Sequence, residues 1–196
     1  MTRSDATRER LYAAAVALIG ERGFHGTTVD AIVERAGVSK GTVYYHFKGK
    51  TELFDALLAD GLGRLADCFR DRAARSDTPR DTLAALVRTE LEYIFENQSF
   101  FKLLMSEMWR RDRTWRESLQ GLRGGYVVVV HDVLACGIAS GDFIATLNPD
   151  SSASSVFGMV AVAALDWLVF DPSRTIDDVY ADVSGLVMRA VGGSPA

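Results

Sequence analysis

"GVSKGTVYYHFKGK", Gly37 to Lys50, reads as a short helix with almost nothing to bury. Its apolar stripe is Val43 and Phe47, spaced i, i+4, and around it stand two tyrosines, a histidine, a threonine, a serine and three lysines. A helix of about eight residues, roughly 12 Å long, is not stable alone in water. It must be held by Val43 and Phe47 packing onto neighbouring helices. At about 100° per residue, Gly41 and Tyr45 then lie opposite Val43, with Thr42, Tyr44 and His46 on the flanks. That outward face of hydroxyls, rings and an imidazole spans about the width of the DNA major groove, about 12 Å.

Immediately upstream, "TTVDAIVERAG" has Thr27 or Thr28 as N-cap and Val29, Ile32, Val33 and Ala36 at helical spacing, and it ends at Gly37. After a turn of about three residues, Ser39 opens the short helix, which runs to His46 or Phe47. Before both, "SDATRERLYAAAVALIGERG" places Leu11, Ala14, Ala15, Leu18 and Ile19 on one face and stops at Gly23. Two helices joined by a short glycine-containing turn form a helix-turn-helix unit, whose second helix enters the major groove. Each outward residue then has a task. Lys40 reaches a guanine edge or a phosphate, Gly41 lets the backbone come close, and Thr42 meets a thymine methyl or a phosphate. Tyr44 and Tyr45 place hydroxyls on phosphates, and His46, Lys50 and Thr28 serve phosphate oxygens, with Ser39 beside them at the helix start.

Charge is distributed to match. The whole chain carries a formal net charge of −4, yet residues 1–50 hold 8 Lys+Arg against 5 Asp+Glu, a net of +3, and the remainder 14 against 21, a net of −7. A basic end on an acidic body suits an anionic partner for that end. With 48% hydrophobic and 24% charged residues the chain has enough apolar side chains for a core, which excludes wholesale disorder.

The rest of the chain is dominated by helical signals. "GKTELFDALLADGLGRLADCFRDRAA" is a long helix, "RSDTPRD" breaks the chain, and further helices are expected near Pro79–Asn97, Ser99–Arg111, Thr114–Cys136, Asp150–Phe170 and Thr175–Val191, about nine in all. "YVVVVHDVL", Tyr126 to Leu134, has strand-like composition but no partner strand, so a helix is expected there. "VFGMVAVAALDWLVF", Val156 to Phe170, is shorter than the roughly 20 residues of a membrane span and carries Asp166. A buried helix, no membrane association and a soluble protein are expected. The N-terminus lacks the apolar core of a signal peptide, which points to the cytoplasm. Cys68 and Cys136 share no metal-like spacing and are expected to be buried small hydrophobes.

Enzyme signals are poor. "GLGRLA", Gly61 to Ala66, matches a dinucleotide-binding pattern superficially, but no strand precedes it. His131 and Cys136 are i, i+5, on different helix faces, and no triad, metal set or cofactor site is visible.

"GFHGTTVDAIVERAGVSKGTVYYHFKGKTELFDALL", Gly23 to Leu58, closely resembles the DNA-binding signature of TetR-type transcriptional regulators. The match runs in order through the glycine and paired threonines, "AGVSKGT", "YYHF" and a following lysine. By that resemblance Thr28, Lys40, Gly41, Thr42, Tyr44, Tyr45, His46 and Lys50 occupy DNA-contacting positions, and Val43 and Phe47 core positions. The resemblance implies an all-helical protein, with a DNA-binding domain over residues 4–64 (helix-turn-helix about 27–47) and an effector-binding and dimerisation domain over 65–196. Its partners would be a double-stranded DNA operator, a small-molecule effector and a second copy joined through the last two helices. Family habit favours a repressor; an activator or an effector-independent regulator remains open, and a helical enzyme is the remote alternative.

For the effector, "FFKLLMSEMW" places Phe101, Leu104, Met105 and Met108 in a soft apolar stripe beside Trp109, and Phe69, Tyr126 and Trp167 are candidates to complete a cavity. Glu107, His131 and Asp166 are candidate polar anchors. A tilt of the helix from Lys50 to about Arg72 is the candidate link between effector and DNA, with Gly61 and Gly63 easing its bending.

Overall fold

The computed structural model describes residues 3–107, 120–121 and 123–192. Among them the regular structure is helical: α1 (Arg3–Gly26), α2 (Val29–Ala36), α3 (Lys40–His46), α4 (Lys50–Ala73), α5 (Pro79–Glu96), α6 (Gln98–Glu107), a π-helical turn (Arg123–Val127) leading into α7 (Val128–Ser140), α8 (Pro149–Phe170) and α9 (Ile176–Ala190). The fold is all-α, with an N-terminal helix-turn-helix and a helical C-terminal domain. Two compact units form, one from residues 1–61 with 97–120 and one from 62–96 with 121–196.

In the first unit, α1 packs against α2 and α6, and α2 against α3. Leu11, Ala15, Leu18 and Ile19 of α1 are buried together with Ile32, Ala36 and Val43. Gly23 breaks the regular course of α1 with φ 71° and ψ 167°, a conformation essentially reserved for glycine. The far end of this unit depends on close approach. A β-carbon on Gly61 would lie 2.1 Å from the Phe100 ring of α6. Gly61 therefore serves packing, where the sequence suggested bending.

In the second unit, α5 packs on α7, α8 and α9, and α8 lies between α7 and α9. "YVVVVHDVL" is helical, as its lack of a partner strand required, and α7 continues four residues past Cys136 to Ser140. Asn148 caps α8 by accepting the Ser151 N–H (3.1 Å), and Thr175 and Asp178 close a capping box at α9. Asp178 Oδ2 accepts from the Thr175 hydroxyl (2.7 Å) and from the Thr175 N–H (3.1 Å), and these two bonds hold its carboxyl below its ordinary range.

Two expectations are corrected. α8 starts at Pro149 and has 22 residues, so by length and apolar composition it is long enough to cross a membrane. Its Ala153, Val156, Phe157, Val160, Ala161, Ala164 and Trp167 are instead buried against the neighbouring helices. Cys68 and Cys136 are both exposed. The buried line of α4 runs through Leu62, Leu65, Ala66 and Phe69, and that of α7 through Val130, Leu134 and Gly137, so each cysteine falls off the line.

Candidate functional site

The chain builds the reading unit from its ends inward. Of the paired threonines, Thr27 is buried and its Oγ1 donates to the Gly23 carbonyl (2.9 Å). Thr28 is exposed and caps α2 by accepting the Ala31 N–H (3.2 Å). At the other end Gly37 is left-handed (φ 62°), its N–H donates to Glu34 O and the Val38 N–H to Val33 O, which is a Schellman cap. Ser39 then caps α3 by accepting the Thr42 N–H (3.2 Å), and the two hydroxyls share a 2.8 Å hydrogen bond.

α3 has seven residues and ends at His46. Phe47 follows in extended conformation and is still buried, its ring 6.3 Å from that of Tyr12. Val43 is 0% exposed. The inner side of the helix is thus sealed by one helical residue and one C-cap residue, where two helical residues were expected. On the outer side Tyr45 is 86% exposed and Tyr44 52%. Gly41 is exposed too, and a β-carbon there would meet only Ser39 Oγ at 3.8 Å. Lys40 Nζ sits 2.6 Å from Asp30 Oδ1 of α2, and this carboxylate holds the Lys40 ammonium above its ordinary pKa through its hydrogen bond and charge. Lys50, half-buried, opens α4, and Glu52 accepts the Lys48 N–H at 2.6 Å. The side chain of His46 lies outside the described residues.

The apolar candidates separate. Phe101 and Leu104 are buried and Met105 half-buried on α6 in the first unit; Met108 and Trp109 lie outside the described residues. In the second unit Phe69 and Tyr126 meet with ring centroids 4.5 Å apart, and Phe157 reaches Tyr126 at 5.1 Å. Trp167 is engaged elsewhere, stacked on Phe95 at 5.2 Å and donating Nε1–H to the Arg174 carbonyl. Asp166 is exposed, and His131 Nδ1 is 3.0 Å from the neighbouring Asp132 on the surface, so neither is a buried anchor. The side chain of Glu107 is outside the described residues.

The buried polar group is one the sequence reading missed. Glu90 of α5 is 0% exposed, and the Tyr126 hydroxyl donates to its Oε2 at 2.6 Å. Burial pushes both groups up, the carboxyl well above the usual glutamate range, and the tyrosine hydrogen bond only partly opposes this for Glu90. A signal was available: Glu90 stands between Leu86, Val87, Leu91 and Ile94, in register with the buried stripe of α5.

Comparison with known proteins covers nearly the whole chain. Residues 11–57 match the family described as bacterial regulatory proteins, tetR family, and residues 76–191 the tetracyclin repressor-like C-terminal domain. The fatty acid metabolism regulator protein of Bacillus subtilis (strain 168) is 23% identical over 178 residues, 91% of this chain and 92% of its own. The HTH-type transcriptional repressor KstR2 of Rhodococcus jostii (strain RHA1) is 29% identical over 182 residues, 92% of this chain and 89% of its own. The crystal structure of the transcriptional regulator FadR from Bacillus subtilis in complex with stearoyl-CoA shares the fold at a TM-score of 0.84, with 22% identity, over 94% of this chain and 98% of that one.

Proposed function

The chain belongs to the TetR family of bacterial transcriptional regulators, which are not enzymes, and from that premise we propose that it is a dimeric repressor released from a palindromic operator by a small molecule with an apolar body. One observation carries the DNA half: α3 buries Val43 completely while holding Tyr45 86% exposed. Thr28, Ser39, Lys40, Gly41, Thr42, Tyr44, Tyr45, His46 and Lys50 are the DNA-contacting set, within a DNA-binding domain of residues 4–64. Phosphate contacts from the lysines and hydroxyls set register, and base-edge contacts at the start of α3 set preference.

The dimer half is supported by uncovered apolar surface. Val162, Leu165, Val169 and Phe170 form an exposed stripe on α8 at i, i+3, i+7, i+8, and Leu186 adds to it from α9. A second copy covering these helices would set two α3 helices about 34–36 Å apart, on successive major grooves. The chain would act in the cytoplasm, where the operator is.

For the effector, the bound stearoyl-CoA of a protein with the same fold makes a long-chain acyl thioester the first candidate. Phe69 and Tyr126, which meet in the second unit, are the proposed apolar lining, within a C-terminal domain of residues 65–196. α4 contributes residues to both compact units, and a ligand-dependent tilt of this helix is the proposed link. A coupling of about 1–3 kcal/mol would weaken operator binding roughly 5–150-fold.

The test is selection of bound sequences from random DNA by the purified protein, followed by titration of stearoyl-CoA into the selected complex. The expected result is an inverted repeat, bound by a dimer and released by the ligand. Failure to enrich any sequence at low salt would refute the DNA reading, and a reporter whose expression falls when the protein is removed would replace repressor by activator.

A further inference from the structure

Glu90 is a fully buried carboxyl on a helix face that is otherwise mostly apolar. Its neighbours on the buried face of α5, Val87, Leu91 and Ile94, are all apolar. The Tyr126 hydroxyl satisfies Oε2, and Oε1 is buried with no hydrogen-bond partner. Tyr126 itself belongs to the π-helical turn Arg123–Val127, a local irregularity of the kind that recurs at functional sites. We propose that Glu90 Oε1, fixed in place by the Tyr126 hydroxyl, binds an uncharged carbonyl oxygen of the effector. This rests on the effector reading above and adds the chemical group that is recognised.

The chemistry follows from who donates. Burial pushes the Glu90 carboxyl well above the usual glutamate range and so favours its neutral, protonated form. Because the Tyr126 O–H already donates to Oε2, the carboxyl proton belongs on Oε1 and forms an O–H donor lacking an acceptor. An orphaned buried donor is destabilising until an acceptor arrives. A thioester, ester or ketone oxygen supplies that acceptor without bringing a charge into the interior, where an ion is far more costly. An alkyl chain, or a thioether in place of the thioester, leaves the donor unsatisfied. The Phe69 and Phe157 rings beside Tyr126 suit an apolar body next to that carbonyl.

The test uses the full chain bound to its selected operator, with release followed by fluorescence anisotropy. Stearoyl-CoA is compared with the S-octadecyl thioether of coenzyme A, which lacks only the carbonyl oxygen. Wild type is expected to respond to the thioester at a concentration about 3–10-fold lower than to the thioether, the worth of one neutral hydrogen bond. Glu90→Leu abolishes that preference, Glu90→Gln retains it through its N–H donor, and both keep the operator affinity of the ligand-free protein. Should Glu90→Leu fail to fold, the wild-type preference and its retention in Glu90→Gln still decide the matter. Equal release of wild type by both compounds would overturn the proposal, as when an internal water satisfies Oε1, while leaving the effector reading standing. Release by neither removes both.

Discussion

Val43→Ala and Tyr45→Ala change opposite faces of one short helix and should have opposite consequences. Val43 is 0% exposed, so truncation removes two buried carbons worth about 0.8 kcal/mol each, plus a cavity contribution, for a total of about 1.5–2.5 kcal/mol. For a chain of this size that lowers Tm by about 3–10 °C, which differential scanning calorimetry resolves easily. Tyr45, 86% exposed, has little packing to lose, and its truncation should stay within about 0.5 kcal/mol of wild type. Operator affinity should reverse the order of selectivity. Tyr45→Ala should cost about 1–3 kcal/mol per reading head, roughly tenfold or more, in a protein as stable as wild type. If Tyr45→Ala lowers Tm as much as Val43→Ala, or leaves operator affinity unchanged, α3 does not present the face described above.

Other perturbations probe other parts of the chain. Lys50→Ala should weaken binding to operator and random DNA alike and reduce the slope of log affinity against log salt by about 1, as measured by anisotropy across a salt series. Gly61→Leu drives a side chain into the Phe100 ring and should destabilise by about 1–3 kcal/mol; an unchanged Tm would mean that α6 is not seated there. Gly41→Ala, by contrast, meets only Ser39 Oγ and should raise stability by about 0.5–1 kcal/mol while weakening operator binding. Burial lifts the Glu90 carboxyl above its ordinary 4.5, so the unfolded chain releases this proton at lower pH than the folded one. Between the two values the folded state holds more protons and stability falls as pH rises; Glu90→Gln should remove this component, seen as a Tm advantage over wild type that grows from about pH 4 upward.

Local chemistry made the reading unit legible. Thr28, Gly37 and Ser39 mark helix ends through their own backbone and side-chain preferences, and such preferences act over three or four residues. Phe47 was placed on the right side for a partly wrong reason: helical spacing predicts its direction, yet it is buried from an extended C-cap position. The features that escaped depend on contacts distant in sequence. Nothing within "DALLADGLGRLAD" reveals that Gly61 faces Phe100, nor that residues 97–120 join the same compact unit as 1–61. Glu90 escaped because "RTELEYIFE" offers three glutamates, and its register with Leu86, Val87, Leu91 and Ile94, which sets it apart from the other two, was not weighed. The cysteines were misplaced because residue-type burial averages ignore which face of α4 or α7 each residue occupies.

Gly41 and Glu90 share a logic that Gly61 lacks. Gly61 is explained inside the fold, since Phe100 occupies the space of its side chain. Gly41 has open space beside it, and alanine would favour the helix. Glu90 leaves one oxygen, Oε1, unpartnered on the buried face of α5. Each residue carries a cost that contacts inside the fold do not fully offset, since the Tyr126 hydroxyl satisfies only Oε2 of Glu90. Sites where a sequence departs from its own folding rules are where an outside partner supplies the missing term. At Gly41 that partner is a duplex approaching the α3 backbone, and at Glu90 it is a carbonyl reaching Oε1. The two departures are therefore expected to be separable: Gly41→Ala should alter operator affinity without changing thioester preference, and Glu90→Leu should do the reverse.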